Sequence, residues 1–381
     1  MPASLVWDIF CTVVDNHGDL GVCWRLSCQL RDAGHQVRLW VDDASALAWM
    51  APGATQGQEP GITVIPWVQA CQAEHAQGWP AADVWIEAFG CDLPEAFVAH
   101  EVAREVTRRN QPPVWVNLEY LSAEPQVARL HGLPSPVMSG PAKGWIKHFF
   151  YPGFGPGTGG LLREADLAAR QQAFDRAAWR RQHAPALPAQ ALLVSLFCYE
   201  PAALPHLLQD LAGTPSHVLV APGRPLKAVQ QALATGMAPP SWTAQLATSQ
   251  LGFDHMLWAC DVNFVRGEDS LVRALWAGQA LVWQIYPQDD DAHHAKLEAF
   301  LDVLEAPESL RHFHRVWNGT APGPLPKLDA ATLAPWSACV KAARSKLWPH
   351  TSLVDQLTEH VQKRLSWAQT SSPQAQSRLG G

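Results

Sequence analysis

The sequence predicts an α/β protein built of two facing Rossmann-like domains with a central cleft. Short apolar segments alternate with helical segments along the first half of the chain. A connector rich in proline and glycine interrupts this rhythm at residues 134–164, and the same alternation then starts again. Short apolar strands that alternate with helices are typical of parallel, doubly wound sheets. A chain of 381 residues is also longer than one core usually supports, which favours two domains.

The strands of the first half are short and rich in β-branched and aromatic residues, and one helix ends at a glycine. The predicted strands are 4–14, 36–41, 61–68, 82–89 and 113–121, and the predicted helices are 21–34 and 94–110. We therefore predict an N-terminal domain over residues 1–165.

The second half repeats the pattern. Its predicted strands are 191–199, 216–222, 261–265 and 280–287, and its predicted helices are 225–236, 268–278 and 292–306. These elements predict a C-terminal domain over residues 166–366. The last segment, 367–381, is polar and poor in hydrophobic residues, so we expect it to be a disordered tail.

The composition is that of a core-rich globular protein, with 48% hydrophobic and 17% charged residues. A net charge of −7 argues against direct nucleic-acid binding, which needs a basic surface. The sequence contains no apolar run of about twenty residues, so we expect no membrane span. The first ten residues lack the basic region of a signal peptide. The eight cysteines are scattered without a CxxC pair, which is typical of reduced thiols in the cytoplasm.

The segment "VVDNHGDLGVCWRL" places two carboxylates, Asp15 and Asp19, where an apolar strand passes into a helix. Residues four apart on a helical turn share one face. Two such carboxylates can bind one guanidinium, or one can act as a base that the other orients. The sequence fits equally well a second interpretation, in which both aspartates cap the following helix.

The segment "DVNFVRGEDSLVRALWAG" indicates a phosphate site. A strand ends at Arg266 and Gly267, and Glu268, Asp269 and Ser270 begin a helix. The free amides and positive dipole of such a helix start can hold a diphosphate, with a hydroxyl and a guanidinium beside them. The two acids would repel a phosphate but could accept hydrogen bonds from sugar hydroxyls. An ordinary acidic helix start is the alternative interpretation.

Aromatic and amide side chains follow other strands of the second half. Phe197 and Tyr199 end one strand, and Gln250 and Phe253 lie in "SQLGFDHMLWACD". Such rings can stack on a nucleotide base while an amide reads its edge. Each ring taken alone is also consistent with a core position.

Two further motifs are weak. Residues 155–160, "GPGTGG", match GxGxxG but lack the strand before it that a dinucleotide site needs, so we predict a hinge or packing role. The cluster Asp289, Asp290, Asp291, His293 and His294 fits no zinc spacing, and we interpret it as helix capping rather than a metal site.

Taken together, the chain resembles the bacterial protein-arginine rhamnosyltransferases that modify translation elongation factor P. The segments that carry the resemblance run in order from residue 13 to residue 302: "VVDNHGDLGVCWRL", "VNLEYLSAE", "FFYPGFGPGTGGLLRE", "SLFCYE", "NFVRGEDSLVRALWAG" and "YPQDDDAHHAKLEAFLD". The resemblance implies a GT-B type glycosyltransferase that transfers L-rhamnose from dTDP-β-L-rhamnose, with inversion, to an arginine of elongation factor P. It implies no metal and no other cofactor.

The resemblance also assigns roles to single residues. Asp19 matches the general base and Asp15 its companion near the acceptor, and Glu268 joins them in the expected catalytic set. The expected donor-binding residues are Phe197, Tyr199, Gln250, Phe253, Arg266, Asp269, Ser270 and Tyr286.

Two other functions remain open at this point. The same sugar-nucleotide site could serve a small-molecule or lipid-linked acceptor. A binding module without catalysis would need the paired aspartates to be helix caps only. A nicotinamide oxidoreductase is disfavoured, because no glycine fingerprint lies between a strand and a helix.

Overall fold

The computed structural model describes residues 4–14, 17–72, 79–108, 112–185, 187–188, 190–286 and 292–371. The chain divides into two compact units. The first comprises residues 1–164 and 350–381, and the second comprises residues 165–349. No helix in the described part of the chain is long and apolar enough to cross a membrane.

The first unit is built on a mixed sheet of seven strands among the described residues. The strands are β1 (Val6–Cys11), β2 (Gln36–Val41), β3 (Ile62–Pro66), β4 (Val84–Ala88), β5 (Val114–Leu118), β6 (Pro134–Pro136) and β7 (Ile146–Phe150). Their spatial order is β3-β2-β1-β4-β5-β7-β6. All neighbours pair in parallel except β6 and β7, so β3 to β5 repeat the strand order of a Rossmann domain.

Helices cover this sheet on both faces because its strands are apolar on both sides. Its helices before the connector are α1 (Gly18–Asp32), α2 (Leu47–Met50), α3 (Trp67–Ala70), α4 (Glu95–Arg108) and α5 (Val127–Leu130). The core on one face contains Trp7, Ile9 and Leu26, which brings α1 onto the sheet. The core on the other face contains Phe10 and Trp85.

The second unit is built on a parallel sheet of five strands among the described residues. The strands are β8 (Leu192–Leu196), β9 (Ser216–Val220), β10 (Trp242–Ala244), β11 (Val262–Arg266) and β12 (Ala280–Gln284). Their order, β10-β9-β8-β11-β12, is again that of a Rossmann domain. The helices are α6 (Leu167–Ala173), α7 (Arg176–His183), α8 (Leu204–Ala212), α9 (Arg224–Leu233), α10 (Gln250–Ala259), α11 (Glu268–Ala277), α12 (Ala292–Val303), α13 (Glu308–Trp317) and α14 (Ala330–Leu347).

The C-terminal helix α15 (Leu353–Ser371) belongs to the first unit. The sequence analysis assigned residues up to 366 to the second domain, and the structure differs. Leu357 and Val361 are fully buried in the core shared with β1 and α1, and α15 also contacts β5. Burial of this apolar stripe joins the helix to a sheet that lies far away in sequence. The expected disordered tail falls outside the described residues from 372 onward, while the backbone of 367–371 continues α15.

The connector contains regular structure that the sequence analysis did not predict. Within residues 134–164, β7 pairs with β5 and extends the first sheet. The glycines that follow pack closely: a Cβ on Gly159 would lie 2.4 Å from the Phe150 ring, and one on Gly160 would lie 2.6 Å from the Thr351 carbonyl oxygen. This supports the packing role predicted for "GPGTGG".

Candidate active site

Each sheet has a topological switch point, where the chain leaves two adjacent strands in opposite directions. Ligands of open α/β sheets bind outside the carboxyl ends of the strands at this point. In the first unit the switch point lies between β1 and β4, and in the second between β8 and β11. The residues that follow these four strands are therefore the candidates for function.

In the first unit, Asp19 follows β1 and lies in the first turn of α1, with 4% of its surface exposed. Its Oδ2 accepts a hydrogen bond of 2.9 Å from the Val14 amide, which fixes the carboxylate against the loop after β1. The same loop is held at Val13, whose amide donates to Asp42 Oδ1 at 2.9 Å. The carboxylate is thus buried and oriented at the switch point.

Asp19 does not occupy the N-cap position of α1. The N-cap of α1 is His17, whose side chain makes no capping hydrogen bond, and Asp19 lies within the helix. Asp15, its predicted companion, lies outside the described residues. The neighbouring strand β4 is followed by Phe89, which adopts a left-handed conformation with φ of 58° and stacks on Tyr120 at 4.8 Å.

In the second unit, the guanidinium of Arg266 lies over two aromatic rings at the carboxyl end of β11. Its central carbon is 4.5 Å from the Phe197 ring centroid and 4.7 Å from that of Tyr199. The arginine is 95% buried. Cation–π contacts in such a desolvated place fix the guanidinium and keep a positive charge at the switch point.

Two further predicted residues join this group through ring contacts. Phe253 meets Phe197 edge-to-face at 5.6 Å, and Tyr286 meets Tyr199 edge-to-face at 5.7 Å. Tyr286 is 43% exposed. A partly exposed aromatic wall beside a buried cation suits a nucleotide, whose base stacks and whose phosphates need positive charge.

The start of α11 provides backbone amides at the same place. Gly267 precedes the helix with φ of 57° and ψ of 171°, a conformation that only glycine adopts readily. The N-cap residue, Gly267, has no side chain with which to cap the helix, in contrast to α10, where Ser249 accepts from the Gly252 amide. Ser270 Oγ accepts from the Arg266 amide at 3.0 Å, which closes the turn. The amides and the positive dipole end of such a helix N-terminus can bind an anion.

The first acid of this turn has a basic partner on another helix. Glu268 forms an ion pair of 2.8 Å with Lys296, and both side chains are less than 20% exposed. Because Lys296 neutralises Glu268, the carboxylate adds little repulsion toward a phosphate bound nearby. Asp269 follows in the first turn of the helix.

Gln250 lies in the first turn of α10, one turn before Phe253. Asp254, which follows Phe253, forms a fully buried ion pair with Arg273 of α11, with two hydrogen bonds of 2.9 and 2.7 Å. This pair fixes α10, which carries Gln250 and Phe253, against α11, which begins with the turn that contains Ser270.

Sequence reasoning missed three side chains of this site. The guanidinium of Arg224 lies 5.0 Å from the Tyr199 ring centroid and pairs with Glu200, and its hydrogen bonds lower the pKa of that carboxyl. Gln284 Oε1 accepts from the Tyr199 amide at 2.7 Å. Lys296 is the third. Arg224 follows β9 and a glycine in "APGRPLK", so its place at a strand's carboxyl end was a usable signal.

The acid and histidine cluster falls mostly outside the described residues, which omit Asp289, Asp290 and Asp291. The rings of His293 and His294 lie 4.2 Å apart at the start of α12. The eight cysteines are all free thiols.

Two Rossmann-like domains in one chain, each with polar or charged side chains at its switch point, are the architecture of glycosyltransferases of the GT-B class. Comparison with solved structures agrees. The chain is similar to the structure described as the basis for EarP-mediated arginine glycosylation of translation elongation factor EF-P, with 29% identity, a TM-score of 0.60 and coverage of 94% of this chain and 99% of that one. It also shares its fold with MurG of Acinetobacter baumannii, at 14% identity and a TM-score of 0.50, over 95% of this chain and all of that one.

The chain belongs to the family described as Elongation-Factor P (EF-P) rhamnosyltransferase EarP, whose model matches residues 7–362. It is 44% identical to the protein-arginine rhamnosyltransferase of Pseudomonas putida over 82% of this chain and 86% of that protein. The enzyme of the same name from Pseudomonas aeruginosa is 42% identical, with the same coverage. The predicted family, the GT-B fold class and the enzyme class, a protein-arginine rhamnosyltransferase, are confirmed. The predicted roles of the site residues stay predictions.

Proposed function

We propose that this enzyme transfers L-rhamnose from dTDP-β-L-rhamnose to an arginine side chain of elongation factor P, with inversion at the anomeric carbon. The observation that carries the proposal is the arrangement around Arg266. A buried cation, two aromatic rings and a helix N-terminus that begins at a glycine meet at one switch point. Family membership, and the similar structure described in terms of arginine glycosylation of EF-P, support elongation factor P as the acceptor.

The donor would bind to the second unit. The thymine would stack on the wall formed by Phe197, Phe253 and Tyr286. The diphosphate would accept hydrogen bonds from the amides at the start of α11 and face the charge of Arg266. Glu268 and Asp269 would bind sugar hydroxyls, and Lys296 holds Glu268 in place for this contact.

The acceptor chemistry is demanding, because an arginine guanidinium has a pKa above about 12 and is a poor nucleophile. Asp19, buried and fixed by the Val14 amide, would localise the charge of the guanidinium and orient one nitrogen. That nitrogen forms a bond to the anomeric carbon as the bond between this carbon and the diphosphate oxygen breaks. The proton released from that nitrogen passes to Asp19. Asp15 would help to orient the guanidinium for this transfer.

The leaving dTDP gains negative charge as the glycosidic bond breaks. Arg266 and the positive end of the α11 dipole would stabilise that charge without a metal ion. Attack from the face opposite the diphosphate inverts the anomeric configuration, and the sugar passes through an oxocarbenium-like transition state. Neither a metal nor another cofactor enters the proposed step.

The test is intact-mass spectrometry of purified elongation factor P after incubation with this enzyme and dTDP-β-L-rhamnose. We expect one deoxyhexose to be added, and none when the target arginine is replaced by lysine. NMR of the product should show the α-anomer. An unmodified acceptor, together with turnover on a small-molecule or lipid-linked acceptor, would instead favour the alternative function that the sequence left open.

A further inference from the structure

Two aromatic side chains at the carboxyl edge of the first sheet have no part in the chemistry proposed above. Phe89 directly follows β4, and Tyr120 comes two residues after β5. Their rings stack with centroids 4.8 Å apart and planes inclined by 22°, and we refer to them as the aromatic pair. Strand β4 is one of the two strands at the switch point, and β5 is the strand beside it.

Phe89 lies in a turn whose backbone conformation is unfavourable for a phenylalanine. The Cys91 amide donates to the Ala88 carbonyl at 3.2 Å, which closes a turn of four residues. Its two central residues both have positive φ, 58° at Phe89 and 70° at Gly90. Such a turn favours glycine or asparagine, and a bulky side chain in it costs conformational free energy. A phenylalanine held in this conformation points to a function for its ring.

The turn places the Phe89 ring on the face of the sheet that α1 covers. Side chains alternate between the two faces along a strand, so in a regular strand Phe89 and Ala88 would lie on opposite faces. Both instead pack against the core on the α1 face, which also includes Leu20, the residue after Asp19. Strands β1 and β4 end level with each other in their register. The aromatic pair and Asp19 therefore belong to the same edge and the same face of the first sheet.

The aromatic pair is accessible and is fixed in place. The Tyr120 side chain is 37% exposed, and Phe89 beneath it is half-buried. The Phe89 amide donates to the Leu118 carbonyl at 2.7 Å, which joins the turn after β4 to the end of β5. A group of a second protein can therefore reach the Tyr120 ring while the sheet holds that ring still.

The acceptor of this enzyme class carries a group that fits such a surface. A guanidinium is planar and stacks on aromatic rings, and its N–H donors lie in its own plane. Stacking therefore leaves those donors available to a carboxylate of the same edge, which Asp19 provides. A lysine ammonium is compact and strongly hydrated, and it has no plane to lay on the ring.

We propose that the guanidinium of the acceptor arginine stacks on the Tyr120 ring, and that Phe89 is a positioning residue that holds this ring. The contact fixes the plane of the guanidinium so that its N–H groups meet the Asp19 carboxylate. It also favours arginine over lysine as the acceptor side chain. The inference rests on the proposed function, since it needs an arginine of a protein acceptor at the switch point of the first unit.

The experiment is a double-mutant cycle on binding, measured by calorimetry with dTDP in place of the sugar donor so that no transfer occurs. It combines Tyr120→Leu of the enzyme with replacement of the target arginine of elongation factor P by alanine. Leucine keeps an apolar side chain but lacks a ring, so we expect Tyr120→Leu to weaken binding of the unaltered acceptor about tenfold. Binding of the alanine acceptor should change by less than about twofold, because the group that stacks is absent. Tyr120→Phe keeps the ring and should stay within about twofold of wild type.

Two further enzyme variants complete the cycle. Phe89→Leu should weaken binding of the unaltered acceptor about threefold and spare the alanine acceptor, whereas a merely structural role would weaken both alike. Tyr151→Leu is the matched control, since Tyr151 follows β7 at the same edge of the sheet, two strands from β4. It should show no coupling to the arginine. The dTDP affinity and the melting temperature are recorded for every variant, and both should stay unchanged in Tyr120→Leu.

The outcomes separate this inference from the proposed function. If elongation factor P is rhamnosylated, but Tyr120→Leu weakens both acceptors by the same factor or weakens neither, the inference is overturned and the proposed function stands. Coupling of equal size at Tyr151 would also overturn it. If the wild-type enzyme neither binds nor modifies elongation factor P, both the inference and the proposed function fail.

Discussion

At the scale of single residues, Arg266 connects several of the predicted donor-site residues. It lies over Phe197 and Tyr199, and its amide closes the turn with Ser270. A guanidinium is planar and stacks on aromatic rings, whereas an ammonium is compact and strongly hydrated. The site therefore depends on the shape of the arginine as well as its charge.

We expect Arg266→Lys to weaken dTDP binding about tenfold, because the stacked contacts are lost while the charge is kept. Isothermal titration calorimetry measures this change. Arg344→Lys is a suitable control, since Arg344 also lies over a ring, that of Trp348 at 5.0 Å, on a helix outside the site. Equal weakening in both variants would show that the loss comes from general destabilisation.

His314 makes stability depend on pH. It is fully buried, and burial lowers its pKa to about 4 from 6.5. The ring accepts from the Trp283 amide at Nε2 and bonds the Leu310 carbonyl at Nδ1, so the neutral form satisfies both nitrogens. The unfolded chain binds the proton more readily than the folded chain between these two pKa values. Stability contributed by neutral His314 is therefore complete above about pH 6.5 and declines as the pH falls toward 4.

Between pH 7 and pH 5, we expect this group to lower the free energy of unfolding by about 2 kcal/mol. Urea denaturation at the two pH values measures the loss. His314→Gln should be less stable at pH 7 but lose less between pH 7 and pH 5. An equal loss in both proteins would exclude His314 as its source.

At the scale of elements, the proposed donor site depends on how α10 and α11 are joined. The buried pair of Asp254 and Arg273 connects the two helices.

Removal of one partner leaves an uncompensated charge in the core, which costs about 3–5 kcal/mol. We expect Asp254→Leu and Arg273→Met each to lower the free energy of unfolding by this amount. The double variant should recover most of it in a double-mutant cycle measured by urea denaturation. Additive losses would contradict a direct coupling.

Sequence patterns were sufficient to predict β1 to β5 of the first sheet and β8, β9, β11 and β12 of the second, because each is a short apolar segment bounded by turn residues; β6, β7 and β10 were not predicted. The turn from Arg266 to Ser270 was predictable for the same reason, as a strand end that meets a helix start. The partners Lys296 and Arg224 were not, because ion pairs between separate elements leave no local pattern. Strand β7 was missed because proline and glycine around it obscured a five-residue segment that contains Lys147 and His148.

At the scale of the whole molecule, the chain returns to its first unit at the end. Helix α15 packs its apolar stripe onto the first sheet. The sequence analysis, which followed the order of the chain, had assigned this helix to the second domain. Local patterns predict that such a helix is amphipathic but do not show which sheet it covers. Whether Leu357 packs on the first sheet or on the second depends on contacts between residues that are far apart in the sequence.

We expect Leu357→Ala to lower the free energy of unfolding by about 2–5 kcal/mol, because it removes a fully buried side chain from the first core. Chemical denaturation followed by tryptophan fluorescence measures this loss. Leu246→Ala provides the control, since Leu246 is 87% exposed and its removal should change stability by less than about 0.5 kcal/mol. A similar small effect at Leu357 would contradict the packing of α15.

The central claim is that the buried carboxylate of Asp19 makes an arginine guanidinium react with the sugar donor. The most direct measurement is the single-turnover rate of Asp19→Asn on elongation factor P, with dTDP affinity and melting temperature recorded beside it. Asparagine can still accept from the Val14 amide but cannot take the proton. We predict a rate at least about a hundredfold below wild type, at unchanged dTDP affinity and stability. A rate within a few-fold of wild type would contradict the account.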